Sequence, residues 1–280
     1  MAVLADSMGT EFWQGLPEKY LDQALLWQLR GAYLRRRVQP TPGAPSSLEP
    51  LFPSWSWAGW ESPVNLHDYM PISQHRTEVD WFIVRNDGVS VQLKVGQNDH
   101  VNITYREDGN KDVTPPLINM NDFLPNILPR SQIDISSKEW QEARTLACYT
   151  THNSFLLDGT QHSLGHEAVW RTSINLAIKD SQDFTVGCIL VPPDLADECL
   201  KKPQMYDFIL ISRSLRTKMN QKSQYFDENA YVTRDWCTLN VMLVVKARSD
   251  QETFHRVGVG ILHEDAWVGA QPRGAMIRLV

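Results

Sequence analysis

The sequence predicts an α+β protein, mainly antiparallel β-sheet (a sandwich or partly open barrel), with an N-terminal helix and short peripheral helices. Three observations predict this class. Strand-like runs of alternating or continuous apolar residues recur through 77–106 and 145–280. The turn sequence Asn86-Asp87-Gly88 separates two of these runs and predicts a hairpin. Strands do not alternate with long amphipathic helices, as they would in a parallel sheet.

The first predicted element is a helix in GLPEKYLDQALLWQLRG, residues 15–31. Pro17 suits the first turn of a helix, where its missing N–H costs nothing. Tyr20, Ala24 and Trp27 recur at the spacing of one helical face. We expect this face to pack on the side of the sheet.

The chain divides into three predicted parts. Residues 1–38 hold the helix and an extended segment, and 39–50 form a Pro-rich loop. Residues 51–280 form a single β-rich domain. Within it, 107–140 lacks clear periodicity and carries several prolines, so this stretch is either a mobile loop or an insertion with its own short turns.

Later runs predict the centre of the sheet. DFILIS (207–212) and LNVMLVV (239–245) are apolar on both faces, which is typical of central strands. In FHRVGVGIL (254–262), Gly258 and Gly260 share one face, so another part of the molecule must approach closely there. The strings LADECLKK and HEDAW predict short helices.

Tryptophans form the most unusual pattern, in LFPSWSWAGW, residues 51–60. An extended chain would place Trp55 and Trp57 on one face, with Trp60 beyond them. Such a face is either a stacking platform for bases or sugars, or part of a core. The apolar residues directly before it favour burial. We therefore interpret Trp55, Trp57, Trp60, Trp27 and Trp267 as core residues, with an interaction surface as the alternative.

No local motif predicts a catalytic, cofactor or metal site. His263-Glu264-Asp265 does not have the spacing of a zinc motif, and is interpreted as a polar turn whose acids open a helix. Gly258-Val259-Gly260 is too short for a phosphate loop. Arg35-Arg36-Arg37 is interpreted as a solvated edge or as a partner of local carboxylates rather than a phosphate site. A triad assembled from distant residues stays open.

Charge and cysteine usage limit the classes of partner. The net charge of −6 argues against nucleic acid. No apolar run approaches the length of a membrane span, and the N-terminus lacks the pattern of a secretory signal. The four cysteines are dispersed, which predicts neither a disulfide framework nor a zinc site. We expect an intracellular, cytoplasmic protein whose partner is another protein.

Several strings together resemble one protein family. They are ALLWQ (24–28), RRR (35–37), FPSWSWAGW (52–60), DFILISRS (207–214), WCTLNVMLVV (236–245) and RVGVGILHEDAW (256–267). In this order they resemble the region that follows the HET domain in fungal heterokaryon-incompatibility proteins, with PSWSWAGW the most specific piece. Ser62-Pro63 departs from the family pattern, where glycine precedes a valine.

The resemblance implies a role in nonself recognition and programmed cell death. In that family the lethal activity is assigned to the HET domain, whose motifs we do not find in this chain. We therefore expect a C-terminal half that acts as a non-catalytic recognition or regulatory region. The alternative is an enzyme of the hydrolase kind, with a site assembled from scattered residues in a cleft of the sheet.

Overall fold

The computed structural model describes residues 6–29, 34–36, 50–66, 75–95, 119–134, 138, 142–162, 174–215, 225–248 and 252–280. Strands are the commonest regular structure among these residues, with a few short helices beside them, and the predicted fold class is confirmed. The predicted loop at 39–50 lies outside the described residues except for Pro50, and so does 107–118 of the predicted irregular stretch.

The described strands are β1 (Phe12–Trp13), β2 (Leu16–Pro17), β3 (Trp27–Leu29), β4 (Val64–Leu66), β5 (His75–Thr77), β6 (Asp80–Val84), β7 (Ser90–Gln92), β8 (Ile127–Leu128), β9 (Thr145–Leu157), β10 (Ile174–Lys179), β11 (Thr185–Val191), β12 (Gln204–Ser214), β13 (Thr238–Lys246), β14 (Thr253–His263) and β15 (Arg273–Leu279). The α-helices are α1 (Leu21–Ala24), α2 (Pro193–Lys201) and α3 (Glu264–Gly269). Short 3-10 helices lie at Glu18–Tyr20, Trp57–Gly59, Met120–Asp122 and Arg130–Gln132.

Six strands pair around a closed antiparallel circuit, in the order β9, β12, β13, β14, β11, β10 and back to β9. The last link is the weakest, because β10 and β9 share only the pair Lys179–Leu156. The N-terminal half of β9 leaves the circuit and lies between β6 and β15. The result is a barrel with a sheet extension, which matches the predicted partly open barrel.

Two hydrophobic cores form on opposite sides of the shared strands. One core takes residues from all six strands of the circuit and includes Trp267. The other joins α1, β3, β6 and the outer faces of β12 and β13, and includes Trp27 and Trp55. Phe208 packs in the first core and its neighbour Ile209 in the second. This explains why DFILIS and LNVMLVV are apolar on both faces, and it confirms that they are central strands.

The glycines of β14 make the close approach that their spacing predicts. A Cβ added at Gly260 would lie 2.2 Å from the carbonyl oxygen of Cys188, and one at Gly258 would lie 2.3 Å from that of Leu190. Both carbonyls belong to β11, the strand that pairs with β14. Side chains at these two positions would therefore push the barrel wall apart.

The predicted hairpin joins β6 to β7. The backbone N–H of Arg85 donates to the Val89 carbonyl at 2.8 Å, and Gly88 has φ +82°. Gly88 thus occupies the left-handed region that closes a three-residue loop. The Asp87 carboxylate also accepts from Val89 N–H at 3.0 Å, which fixes the turn.

The predicted helix over 15–31 is wrong in extent. Within its described part, 15–29, only Leu21–Ala24 is α-helical, after one 3-10 turn, and Trp27–Leu29 is a strand paired with β4. The physical reason is burial: every residue from Leu25 to Leu29 is at least nine-tenths buried. A surface helix has a wet face and cannot bury five consecutive residues on one core, so tertiary packing overrides the helical spacing.

The described part of the stretch 107–140 has short turns of its own. Two 3-10 turns flank β8, which pairs in parallel with β7. Leu124 lies between them, buried against Phe82 and Ala147. In its described part the stretch is therefore an insertion with its own short turns, packed on the outer end of the sheet.

Candidate functional site

The tryptophan segment 51–60 is a turn and a 3-10 helix rather than a strand. The Ser56 hydroxyl accepts from the N–H of Ala58 at 3.2 Å and caps the helix Trp57–Gly59. This conformation rotates neighbouring side chains apart. Trp55 is fully buried, whereas Trp57 is 40% exposed, so the prediction that both are buried on one strand face is wrong for Trp57.

Trp55 is anchored on three sides. Its ring lies 4.5 Å from the ring of Trp13. Its indole N–H donates to the carbonyl of Leu279 at 3.2 Å, and its own carbonyl accepts from the indole of Trp27 at 2.9 Å. A buried indole with a bonded N–H contributes packing without leaving a polar group unpaired. Trp57 is held differently, with its indole donating to the Gly15 carbonyl at 2.9 Å.

Arginines complete this aromatic cluster. The Arg256 guanidinium lies 3.7 Å from the centre of the Trp27 ring and donates to the Trp27 carbonyl. Arg35 lies 4.9 Å from the Trp60 ring and donates to the Phe52 carbonyl at 2.5 Å. Burial, with the nearby Arg144 charge, lowers the pKa of Arg35 to about 10.

Arg35 therefore does not lie on a solvated edge, and this corrects the interpretation for that residue, whereas Arg36 is exposed. The Arg36 N–H donates to the Gly59 carbonyl at 2.8 Å, and Arg37 lies outside the described residues.

A chain of alternating charges runs through the wall of the barrel. Glu78 on the link between β5 and β6 accepts from Arg213 of β12 at 2.6 Å. Arg213 lies 2.9 Å from Glu264, in ion-pair contact rather than a linear hydrogen bond. Arg234 then contacts Glu264 at 3.3 Å and grips Asp265 with two bonds of 2.5 and 2.6 Å.

The inner members of this chain are out of contact with water. The side chains of Glu78, Arg213 and Glu264 are 0%, 4% and 1% exposed. Burial raises the pKa of Glu264, and the charges of Arg213 and Arg234 act against that rise. Hydrogen bonding to Asp265 raises the pKa of Arg234. Buried charges of this kind persist only when they are paired, so this series of ion pairs holds α3 against β12.

His263 is locked as a neutral structural residue. Its Nδ1 accepts from the N–H of Asp265 at 3.1 Å, which places the proton on Nε2, 3.1 Å from the Val232 carbonyl. Burial lowers its pKa. The predicted polar turn is confirmed, because His263 caps α3 and the two acids open it. Both ring nitrogens are occupied by backbone groups, so the ring is not placed as a general base toward a cleft.

A cleft of about 560 Å³ lies beside Asp265. Residues from β9, the end of β10 and the turn after it, β12, the β12–β13 connection, and α3 with the residue after it line the cleft: Asn153, Ser154, Phe155, Leu156, Lys179, Asp180, Ser181, Gln182, Asp183, Met205, Tyr231, Asp265, Ala266, Gly269 and Ala270. The Ser154 hydroxyl donates to Asp207 at 2.6 Å, and the Tyr231 hydroxyl donates to Asp180 at 2.6 Å. Burial first, and then this Asp180 contact, raises the pKa of Tyr231.

Within the described residues, no cluster of His, Cys, Asp and Glu is arranged to hold a metal ion. Cys148, Cys188, Cys199 and Cys237 are buried and form no disulfide with one another. None of the helices in the described ranges has the length and apolar character needed to cross a membrane.

The structure brings some of the predicted tryptophans together and separates others. Trp27, Trp55 and Trp60 meet in one cluster, with 5.9 Å between the rings of Trp27 and Trp60. Trp267 lies in the other core, where its indole donates to Thr151 at 3.2 Å. Trp57 points to the surface.

Sequence reasoning missed the charged residues Glu78, Arg213, Arg234 and Arg256. One signal was present: Arg213 follows the apolar residues of DFILISRS in a predicted central strand, and a charge in such a strand needs a buried partner.

Comparison with known proteins gives no relative. No family model, no curated protein and no solved structure matches the chain.

Proposed function

We propose that this chain is a non-catalytic recognition or regulatory region of a heterokaryon-incompatibility-type protein, cytoplasmic, that contacts another protein in nonself recognition and programmed cell death. The observation that carries the proposal is that the strings behind the resemblance hold one another. Arg256 of RVGVGILHEDAW binds Trp27 of ALLWQ, and its backbone N–H donates to Ser54 of FPSWSWAGW at 3.1 Å. These sequence strings therefore contact one another and form parts of one structural framework.

Two further strings join the same framework. Arg213 of DFILISRS pairs with Glu264, and donates to the Trp236 carbonyl of WCTLNVMLVV at 3.4 Å. The backbone N–H of Glu264 donates to the Cys237 carbonyl at 2.8 Å. Side chains that carry acid–base chemistry elsewhere are here engaged in holding strands together, which supports a framework role over a reactive one.

Expression in a fungal host tests this function. Residues 1–280 are expressed alone and with a HET domain fused before Met1, and cell viability and cellular NAD are scored. We expect the unfused chain to change neither quantity and the fused chain to reduce viability. Death or NAD loss caused by the unfused chain would overturn the proposal.

A hydrolase-like enzyme is the second candidate, and the cleft beside Asp265 is the observation that favours it. Ser154 on the wall of this cleft is a candidate nucleophile, and its hydroxyl donates a hydrogen bond to the Asp207 carboxylate. Against it, the imidazole of His263 is turned to backbone groups. Hydrolysis of p-nitrophenyl esters that disappears in Ser154→Ala, at unchanged stability, would establish the enzyme.

A further inference from the structure

The cleft opens at a break in the barrel wall. His152 of β9 has one partner on β12 and another on β15, and Leu156 has one on β12 and another on β10. Strands β15 and β10 therefore lie on the same edge of β9, opposite β12. Between them, no described strand pairs with residues 153–155 on this edge, and these residues line the cleft.

The Asn153 side chain bridges the break. Its carboxamide oxygen accepts from the Ser154 N–H at 2.8 Å, and its nitrogen donates to the Ala270 carbonyl at 2.9 Å. One accepted and one donated bond are what a peptide group of a neighbouring strand would supply. The carboxamide thus occupies a place suited to a backbone segment, and an unpaired strand edge is a template for such a segment.

The residues that line the cleft favour a positively charged side chain in that segment. Phe155, Leu156, Met205 and Ala266 form its apolar part, and three carboxylates face a single ammonium, that of Lys179. Asp183 is the most accessible carboxylate, with 77% of its side chain exposed and one of its oxygens 3.2 Å from the ammonium of Lys179. The side chain of Asp265 is 51% exposed beside its partner Arg234. An acidic rim over an apolar floor complements a basic residue flanked by apolar ones.

We propose that this cleft binds an extended peptide segment of a partner protein that carries a Lys or Arg side chain. The peptide backbone replaces the Asn153 carboxamide on the Ser154 N–H, and the cation meets Asp183. The volume of about 560 Å³ lies in the range of roughly 300–1,000 Å³ usual for ligand sites. The proposal rests on the recognition function proposed above and names the chemistry of the partner.

Two matched peptide pools test the cleft. Each pool holds octapeptides with two fixed charged positions, arginine in one pool and glutamate in the other, and the remaining positions drawn from Ala, Leu, Val, Ser and Thr. They are titrated into the full ¹⁵N-labelled chain, and the backbone amide signals of Ser154, Asp183 and Gly269 are followed. We expect the arginine pool to shift these signals with an apparent Kd below about 1 mM, and the glutamate pool to leave them unchanged.

Three variants sharpen the measurement. Asp183→Asn keeps a residue type tolerated at the observed φ of +66°, and should weaken binding of the arginine pool about threefold. Asn153→Ala removes the competing carboxamide, and should tighten binding about fivefold even if it lowers the melting temperature. Asp87→Asn removes a half-exposed carboxylate from the distant hairpin and should change nothing.

Several results would overturn the peptide site: no shift of the three amides by the arginine pool, equal shifts by both pools, unchanged affinity in Asp183→Asn, or weaker affinity in Asn153→Ala. Shifts that depend on protein concentration without peptide would assign the cleft to a second copy of this chain instead. The fungal assay is independent of these outcomes. If the pools fail while the unfused chain is inert, only the peptide site falls; if the unfused chain kills, the proposed function falls.

Discussion

At the scale of single residues, Trp55 and Trp57 lie two positions apart in the segment 51–60 but have different environments. Trp55 is fully buried and bonded through both its indole N–H and its carbonyl, whereas Trp57 rests on Gly15 with 40% of its surface exposed. Burial removes far more apolar surface from water at Trp55 than at Trp57. Trp55 therefore contributes mainly to stability, whereas Trp57 is available for surface recognition, although both lie in one short segment.

We expect Trp55→Ala to lower the free energy of unfolding by about 3–5 kcal/mol, and Trp57→Ala to lower it by about 1 kcal/mol. The first change leaves a cavity in a closed core, and the second removes a ring that is partly in water. Urea unfolding followed by circular dichroism measures both losses. Equal losses at the two positions would show that Trp57 is more buried in solution than this structure places it.

His263 predicts a particular pH dependence of stability. Its folded pKa is lowered from the ordinary 6.5 by burial, so the unfolded chain takes up a proton before the folded chain does. The free energy of unfolding should therefore fall as the pH drops below about 6.5, by at most about 1.4 kcal/mol per pH unit. The raised pKa of Glu264 contributes in the opposite direction, because the folded chain then takes up that proton first as the pH falls.

The matched variants are His263→Asn and His255→Asn. Asparagine keeps an acceptor that can cap α3 but has no titrating ring, so the first variant should flatten the slope. His255 is an exposed histidine on the same strand, so His255→Asn is the matched control for the loss of an imidazole. A wild-type slope in His263→Asn would assign the pH dependence to other groups.

At the scale of elements, the contact between β11 and β14 depends on the absence of side chains. Gly260→Ala should cost about 3 kcal/mol, because its Cβ meets a backbone carbonyl that cannot rotate away. Gly269→Ala in α3 is the matched control, since a Cβ there has nothing within 4 Å and alanine favours a helix. Thermal unfolding of the two variants compares them directly, and equal melting temperatures would contradict the close approach.

Elements with a repeating local pattern could be predicted from the sequence. The apolar residues of DFILIS and LNVMLVV indicate central strands, and the turn residues Asn86-Asp87-Gly88 indicate a hairpin, without reference to the rest of the chain. The helix over 15–31 could not be delimited, because the burial of Leu25–Leu29 depends on strands far along the chain. The charge chain was hidden for the same reason: Glu78 and Arg213 are 135 positions apart. The cleft was likewise hidden, since it is formed by the ends of several strands.

At the scale of the whole molecule, β12 and β13 contribute side chains to both cores. Unfolding of these strands would therefore expose both cores at once. We expect a single cooperative transition. With 5-fluorotryptophan incorporated, the ¹⁹F signals of Trp55 in one core and Trp267 in the other should disappear at the same urea concentration. Assignment comes from Trp55→Phe and Trp267→Phe. Two separate midpoints would show that the barrel and its sheet extension unfold independently.

The Ser54 hydroxyl donates to the carbonyl of Val280, 226 positions further along the chain. A ribosome adding about 5–20 residues per second needs roughly 10 to 45 s to cover that distance. Throughout this interval the nascent chain carries the aromatic segment without its docking partners, and its apolar rings are open to contact with other chains. We therefore expect the newborn protein to depend on chaperones that bind exposed aromatics until Val280 has left the ribosome.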